Sequence, residues 1–297
     1  MCPLSNIRAQ NVGTRLRIGL ITTPDSTAQS ATKGIRLGAA EAKQTAQLFS
    51  SDVELVEAAG SGDGAAAAAA SLLSRRQIQV LMVTNPNDAD RISRLAESRH
   101  VVFLNVSSRN ATLRSACRHY TFHVEGTDAM YAAAQRLALP SAVPSSRSAQ
   151  GLAVLWARTL TRFGASELNK RFQAAYRAPM DGAAWAGWVA VKIVSEAALR
   201  SRSASSDAIR QFLESPTTQF DGHKGWPLSF RQSDHQLRQP LYVAVPNNGS
   251  RGAATTYQDV PDLRALNAGG MGGNAERLLD RLTVGSPASA CNWSKSK

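Results

Sequence analysis

The sequence predicts an α/β protein, with a doubly wound parallel-sheet lobe followed by a smaller, mainly helical and incomplete second lobe. Three observations carry that reading. Short apolar runs rich in β-branched residues alternate with helical patterns from residue 16 to residue 106. The links between them are short, which suits parallel strands with helices packed on the sheet faces. After residue 124 the alternation stops, and helical patterns dominate as far as Leu213.

Residues 16–23, Leu-Arg-Ile-Gly-Leu-Ile-Thr-Thr, read as a buried first strand ended by Pro24 and Asp25. Residues 26–30 suit a loop and helix start. From residue 31 to 48, Ile35, Leu37, Ala39, Ala42 and Ala46 recur at near-helical spacing. Residues 53–58 form a second strand. Asp63, in the loop Gly60-Ser61-Gly62-Asp63, is placed to cap the Ala-rich helix 65–73, and Arg75 and Arg76 suit its carbonyl end. Residues 78–84 are a third strand, and Asp88 caps a helix running to about residue 98. Residues 101–106 are a fourth strand, followed by a polar loop at 107–110.

Beyond it, 120–124 is a short extended run, 128–139 a helix, and 140–150 a Pro/Ser-rich linker. Helices are expected at 152–163, 166–177, 181–201 and 205–214, with Asp181 opening the longest of them. A hairpin at 220–230, a strand at 241–245 and a short helix near 275–282 complete the chain. The implied organisation is a disordered or leader remnant at 1–15, lobe one at 16–124, a shortened lobe two with hinge segments at 125–246, and a Gly/Asn-rich tail at 247–297.

In doubly wound sheets, ligands sit beyond the carboxyl ends of the strands. Those ends carry Thr22, Thr23, Asn85, Asn105 and Ser107, all small, uncharged hydrogen-bonding residues. They are the candidate ligand-binding set. Trp185 is a candidate cover for the apolar part of a ligand, although Trp185 and Trp188, three apart on a helix, also fit a core stripe. No phosphate-binding glycine loop, nucleophile elbow or short-spaced metal-ligand set is present, so no cofactor, metal or catalytic residue is expected. The five histidines are scattered.

The 34 Lys and Arg exceed the 22 Asp and Glu, giving a net charge of +12. That charge concentrates anions around the protein and says nothing of fold. The basic residues are dispersed and aromatics make up 6% of the chain, which argues against a nucleic-acid partner. No stretch approaches the ~20 apolar residues that span a bilayer. Residues 1–15 hold no apolar signal core, so either the protein is cytosolic or its leader lies outside this sequence. In an exported protein Cys117 and Cys291 are a candidate disulfide; in the cytosol they are two free thiols.

The segment Arg17-Ile-Gly-Leu-Ile with its following helix, and residues 101–130, resemble lobe one of the type I periplasmic binding proteins, the branched-chain amino acid and amide receptors of ABC importers. Leu168-Asn-Lys-Arg-Phe-Gln-Ala-Ala-Tyr176, Pro179-Met-Asp-Gly-Ala-Ala-Trp185-Ala-Gly-Trp188 and the glycine-bounded hairpin 220–230 are similar to later parts of the same family. A narrower resemblance rests on Asn105, Leu113-Arg114, Cys117-Arg118 and Phe122-His123 taken with Pro227-Leu-Ser-Phe-Arg231 and Gln236-Leu-Arg-Gln-Pro240. Those motifs resemble a branch associated with PQQ-dependent alcohol dehydrogenase systems. The resemblance implies a periplasmic, non-catalytic receptor for a small-molecule solute, delivering to a membrane permease as a monomer or weak dimer. The family's second lobe has a strand–helix–strand core where residues 125–165 here run from helix through linker to helix. That departure motivates a second expectation, a non-binding relative that serves as a structural or interaction partner. The charge and the absence of a visible leader motivate a third, a basic cytosolic regulator or nucleic-acid binder.

Overall fold

The computed structural model describes residues 13–138, 153–245, 256–260, 275–280, 291 and 293. Its centre is a five-stranded parallel sheet in the order β2-β1-β3-β4-β5. The strands are β1 (Arg15–Thr22), β2 (Asp52–Ala59), β3 (Val80–Val83), β4 (Val102–Asn105) and β5 (Thr121–His123). The inner three read as near-continuous apolar runs because helices cover both faces of the sheet. Alternate side chains go to opposite faces. Ile18, Leu20, Val80, Met82, Val102, Leu104 and Phe122 join one core, and Ile21, Leu81, Val83 and Phe103 join the other.

The second core is closed by α2 (Asp63–Arg76) and α3 (Ala89–Ser98). The first is closed by α1 (Ser26–Gln47) and α7 (Gly182–Ser201). α1 begins at Ser26, earlier than its apolar repeat suggests, because the Asp25 carboxylate accepts the Ala28 N–H at 2.8 Å. Asp63 does not cap α2: the cap position is Gly62, and Asp63 lies in the first turn, paired with Arg91. Asp88 occupies the cap position of α3 without capping it, since its carboxylate instead accepts Gly62 N–H at 2.9 Å and Asn85 Nδ2 at 2.8 Å. It ties together the loops that follow β2 and β3. Asn110 caps the short α4 (Ala111–Ser115).

α7 lies so close to α1 that a Cβ added at Gly34 would stand 1.9 Å from Ala184 O, and one at Gly187 2.5 Å from Ala31 O. The sequence reading put α7 in the second lobe. Its side chains are buried together with those of β1, β3 and β4. A helix that is apolar all round announces burial but not against which sheet. α6 (Ala165–Tyr176) and α8 (Ser206–Glu214) add Leu168, Phe172, Ile209 and Leu213 to the same core.

Residues 152–163 do not form the expected helix. Within them Ala153–Val154 is strand β6, and regular helix starts only at Ala165. β6 pairs antiparallel with β10 (Leu241–Val245), which pairs antiparallel with β11 (Thr256–Val260), and α5 (Asp128–Ala138) packs on this second sheet. A two-residue strand whose partner lies so far along the chain has no local signature. The expected hairpin is present as β7 (Phe220–Asp221) and β8 (Pro227–Phe230), extended by β9 (Leu237–Arg238). A short helix, α9, spans Ala275–Asp280. The expected linker at 140–150 and most of the segments 1–15 and 247–297 lie outside the described residues.

Cys117 and Cys291 form a disulfide with Cα atoms 5.3 Å apart. Cys291 N–H donates to Ser233 O at 2.8 Å, so the C-terminal chain is held beside the stretch entering β9. No helix among the described residues is long and apolar enough to cross a membrane.

Candidate functional site

A cleft of about 340 Å³ opens at the carboxyl ends of β3 and β4, where the start of α7 meets α5 and β6. Its polar lining is Thr84, Ser107, Arg109, Glu125, Tyr131 and Asp181. A neighbouring hollow of about 550 Å³ lies against the loops after β3 and β4, and Arg109 lines both.

The β4–α4 loop is shaped by Asn105. This fully buried side chain accepts Ser108 N–H at 2.8 Å and donates to Ser108 O at 2.8 Å, and its amide lies 3.3 Å from His123 Nδ1. Arg114 fixes the floor. Its buried guanidinium donates to Ser108 O at 2.8 Å, Asn110 O at 2.9 Å and Glu125 O at 2.5 Å. Loss of hydration on burial lowers its pKa to about 10, against the pull of the nearby carboxylate of Glu125. Gln236 accepts from Arg114 Nε at 3.2 Å and donates to the carbonyls of His123 and Glu125 at 3.0 and 3.1 Å. Gln239 donates to Val124 O at 2.6 Å. The chain leaving β5 and the chain around β9 are thereby locked side by side. A fully hydrogen-bonded buried network of this kind holds one geometry.

Glu125 and Asp181 face the cleft from opposite sources. Glu125 follows β5 and is 5% exposed; its Oε1 accepts Tyr131 O–H at 2.5 Å and Gly126 N–H at 2.9 Å. Burial pushes its carboxyl above the ordinary range, while Arg109, Tyr131 and Arg114 pull the other way. Asp181 caps α7 by accepting Ala184 N–H at 2.8 Å, and the same Oδ1 accepts Ser30 O–H from α1 at 2.6 Å. The Arg109 guanidinium lies 3.8 Å from the centre of the Tyr131 ring and 3.6 Å from Glu125 Oε1. These are groups that bind and orient. Among the described residues no cluster of His, Cys, Asp and Glu suited to a metal ion occurs.

No protein-family model matches the sequence, and no curated protein gives a significant match. Solved structures do. The chain is similar to a leucine-binding protein of Thermotoga maritima at TM-score 0.65 and 12% identity, over 84% of this chain and 100% of that one. It is similar to a branched-chain amino acid ABC transporter periplasmic ligand-binding protein of Burkholderia xenovorans at TM-score 0.68 and 14% identity, over 82% and 94%. A solute-binding protein of R. palustris, solved with 4-hydroxybenzoate, matches at TM-score 0.65 and 10% identity, over 85% and 100%. The fold is that of the type I periplasmic binding proteins.

Within that type I periplasmic fold, the residues singled out from the sequence are placed as follows. Ser107 lines the cleft, with its hydroxyl donating to Val83 O at 3.1 Å. Thr22 donates to Ala58 O at 3.5 Å, and Thr23 donates to Asp25 at 2.6 Å behind the α1 cap. Asn85 accepts Asn87 N–H at 3.0 Å and donates to Asp88, turning the β3–α3 loop. Asn105 acts from beneath the loop rather than from the cleft wall. These four shape the mouth and are not among the residues that line its cavity. Trp185 is 0% exposed, donates Nε1–H to Gly222 O at 3.0 Å and lies under the Lys224 ammonium, which is 3.6 Å from its ring centre. The reading from sequence missed Thr84, Arg109, Glu125, Tyr131 and Asp181. Glu125 was reachable by the rule already in use: it stands just past the end of the fifth strand. Asp181 was read as a helix start, which it is, and its second role depends on α7 docking beside α1.

Proposed function

We propose that this chain is the solute-binding component of an ABC-type importer, holding a small polar molecule in the cleft between β3–β4 and α5–α7 without chemical change. The observation that carries the reading is the 340 Å³ cleft at the carboxyl ends of a doubly wound sheet, lined by hydroxyls, two carboxylates and a guanidinium. Ser107, one of the lining hydroxyls, donates to a backbone carbonyl and among the described residues bonds no base, which favours binding over nucleophilic catalysis. In this reading β1–β5 with α1–α4 form one wall, α5 with β6, β10 and β11 forms the other, and α7 returns to the first. The structural neighbours, transporter binding proteins solved with ligands such as isoleucine and benzoate, support a small-molecule solute and a permease partner. The Cys117–Cys291 disulfide supports an oxidising, periplasmic setting.

Placement in the branch tied to PQQ-dependent alcohol dehydrogenase systems is part of the proposal. It is supported by the contact between the two segments that carry that resemblance, Arg114 with Gln236 and His123 with Gln236. The second reading, a relative that no longer binds solute, is favoured by the second sheet, β6-β10-β11, having three strands among the described residues. Thermal-shift screening separates the two, because a ligand of the native state raises its stability in proportion to RT ln(1 + [L]/Kd). Amino acids, aromatic and aliphatic acids, amines and short alcohols form the panel. A saturable rise in Tm for one solute class, lost in Ser107→Trp, supports the receptor. Silence across the panel supports the non-binding relative.

A further inference from the structure

The cleft is acidic within a basic protein. The chain carries +12, yet the two hollows that share Arg109 are lined by Asp90, Asp128, Glu125 and Asp181 against the Arg109 guanidinium, with the Arg114 guanidinium buried beneath and bonded to the Ser108 and Glu125 carbonyls. Asp90 is held by Arg118 at 2.8 Å and Arg94 at 3.0 Å, so it belongs to the rim. Glu125 and Asp181 differ. Each spends one oxygen on internal donors, and among the described residues no hydrogen bond reaches Glu125 Oε2 or Asp181 Oδ2. Glu125 Oε2 is also not among the buried polar atoms sealed off without a partner, so on a side chain only 7% exposed it opens into the cleft. A carboxylate oxygen in that position receives N–H or O–H donors and offers nothing to an anion.

A cation already sits there. Arg109 lies over the Tyr131 face at 3.8 Å, and its contacts to Glu125 and Asp128 are long, 3.6 and 3.9 Å. Its side chain is 47% exposed. It is a cation loosely seated on a π face beside a carboxylate, with solvent on its other side. The helix ends that would attract an anion are compensated, since Asp181 caps α7 and Asp128 lies in the first turn of α5.

We propose that the cleft selects a small organic cation, a solute bearing a protonated amine, whose N–H groups meet Glu125 Oε2 and Asp181 Oδ2 and whose charge takes the place over Tyr131 held by Arg109. This deepens the solute-receptor reading and rests on it. Arg109 is then an internal competitor that swings outward when the solute enters. A desolvated ammonium over an aromatic face, paired with a buried carboxylate, is a strong recognition element.

Calorimetric titration at pH 7 with matched pairs tests it: benzylamine against benzoate, isoamylamine against isovalerate, leucinamide against leucine. Each amine is expected to bind at least about tenfold more tightly than its partner. Glu125→Gln and Asp181→Asn are expected to weaken the amines by about tenfold each, and Arg109→Gln to strengthen them a few-fold. Melting curves establish that each variant folds; should either carboxylate variant fail to fold, the Arg109→Gln arm decides, and weaker amine binding there overturns the proposal. Tighter binding of the acids, or amine affinity unmoved by both carboxylate changes, overturns the cation while leaving the receptor standing. Binding of a neutral panel solute with none of the six has the same meaning. Silence for all six and for the whole panel removes both.

Discussion

His235 lies between two rings, with Phe122 stacked at 4.3 Å and Trp293 at 4.4 Å. Its Nδ1 meets Thr121 O at 3.0 Å, and it is 1% exposed. Burial lowers its pKa from 6.5 to about 4, and burial also sends His123 well below its ordinary value. Both are folded as neutral rings. For a base whose folded pKa is depressed, the unfolded chain takes up protons first, so the stabilisation is complete above pH 6.5 and is lost as pH falls toward 4. From His235 alone the loss is about 3 kcal/mol. Glu125 works in the opposite sense, since its raised pKa favours the fold on the acid side. Urea denaturation at pH 7 and pH 4.5 is expected to show the loss, and His235→Gln to flatten the slope. A wild-type midpoint equal at the two pH values contradicts this.

At the scale of elements, the α1–α7 contact is what positions the cleft, because it brings Ser30 to Asp181. Gly34→Ala places a methyl against the backbone of α7, and backbone cannot yield as a side-chain tip can. The expected cost is at least about 3 kcal/mol in urea unfolding. Gly64, in the first turn of α2, has open space around its missing Cβ. Gly64→Ala is therefore expected to stabilise by about 0.5–1 kcal/mol, as helix propensity dictates. Near-neutral Gly34→Ala contradicts the close approach. The same elements show what a sequence reveals. β1 to β4 and α1 to α3 were legible because each carries its own period and its own stop signals. β6 was not, since its pairing with β10 is decided by the partner and not by Ala153 and Val154 themselves. Ser107 was legible from the strand-end rule, whereas Arg109 and Tyr131 became a site only through the meeting of the β4–α4 loop with α5.

For the whole molecule, the disulfide closes a sequence separation of 174 residues, and it joins the C-terminal chain to the α4–β5 turn beneath the cleft. A loop that long restricts the unfolded chain strongly, so Cys291→Ser is expected to cost about 2–5 kcal/mol. Arg114 O, beside the disulfide, is 3.8 Å from Cys291 Sγ, which links the clip to the buried network under Ser108 and Glu125. Reduction with dithiothreitol is expected to lower Tm and solute affinity together, and an unchanged Tm on reduction contradicts that role.

Amide chemical-shift mapping of the full chain during titration with the panel solutes asks where a small molecule goes. The expected result is saturable shifts at Ser107, Arg109, Glu125, Tyr131 and Gly182, with the α2–α3 face unmoved. Shifts that cluster elsewhere, or none at saturating solute, contradict a receptor built on the carboxyl ends of this sheet.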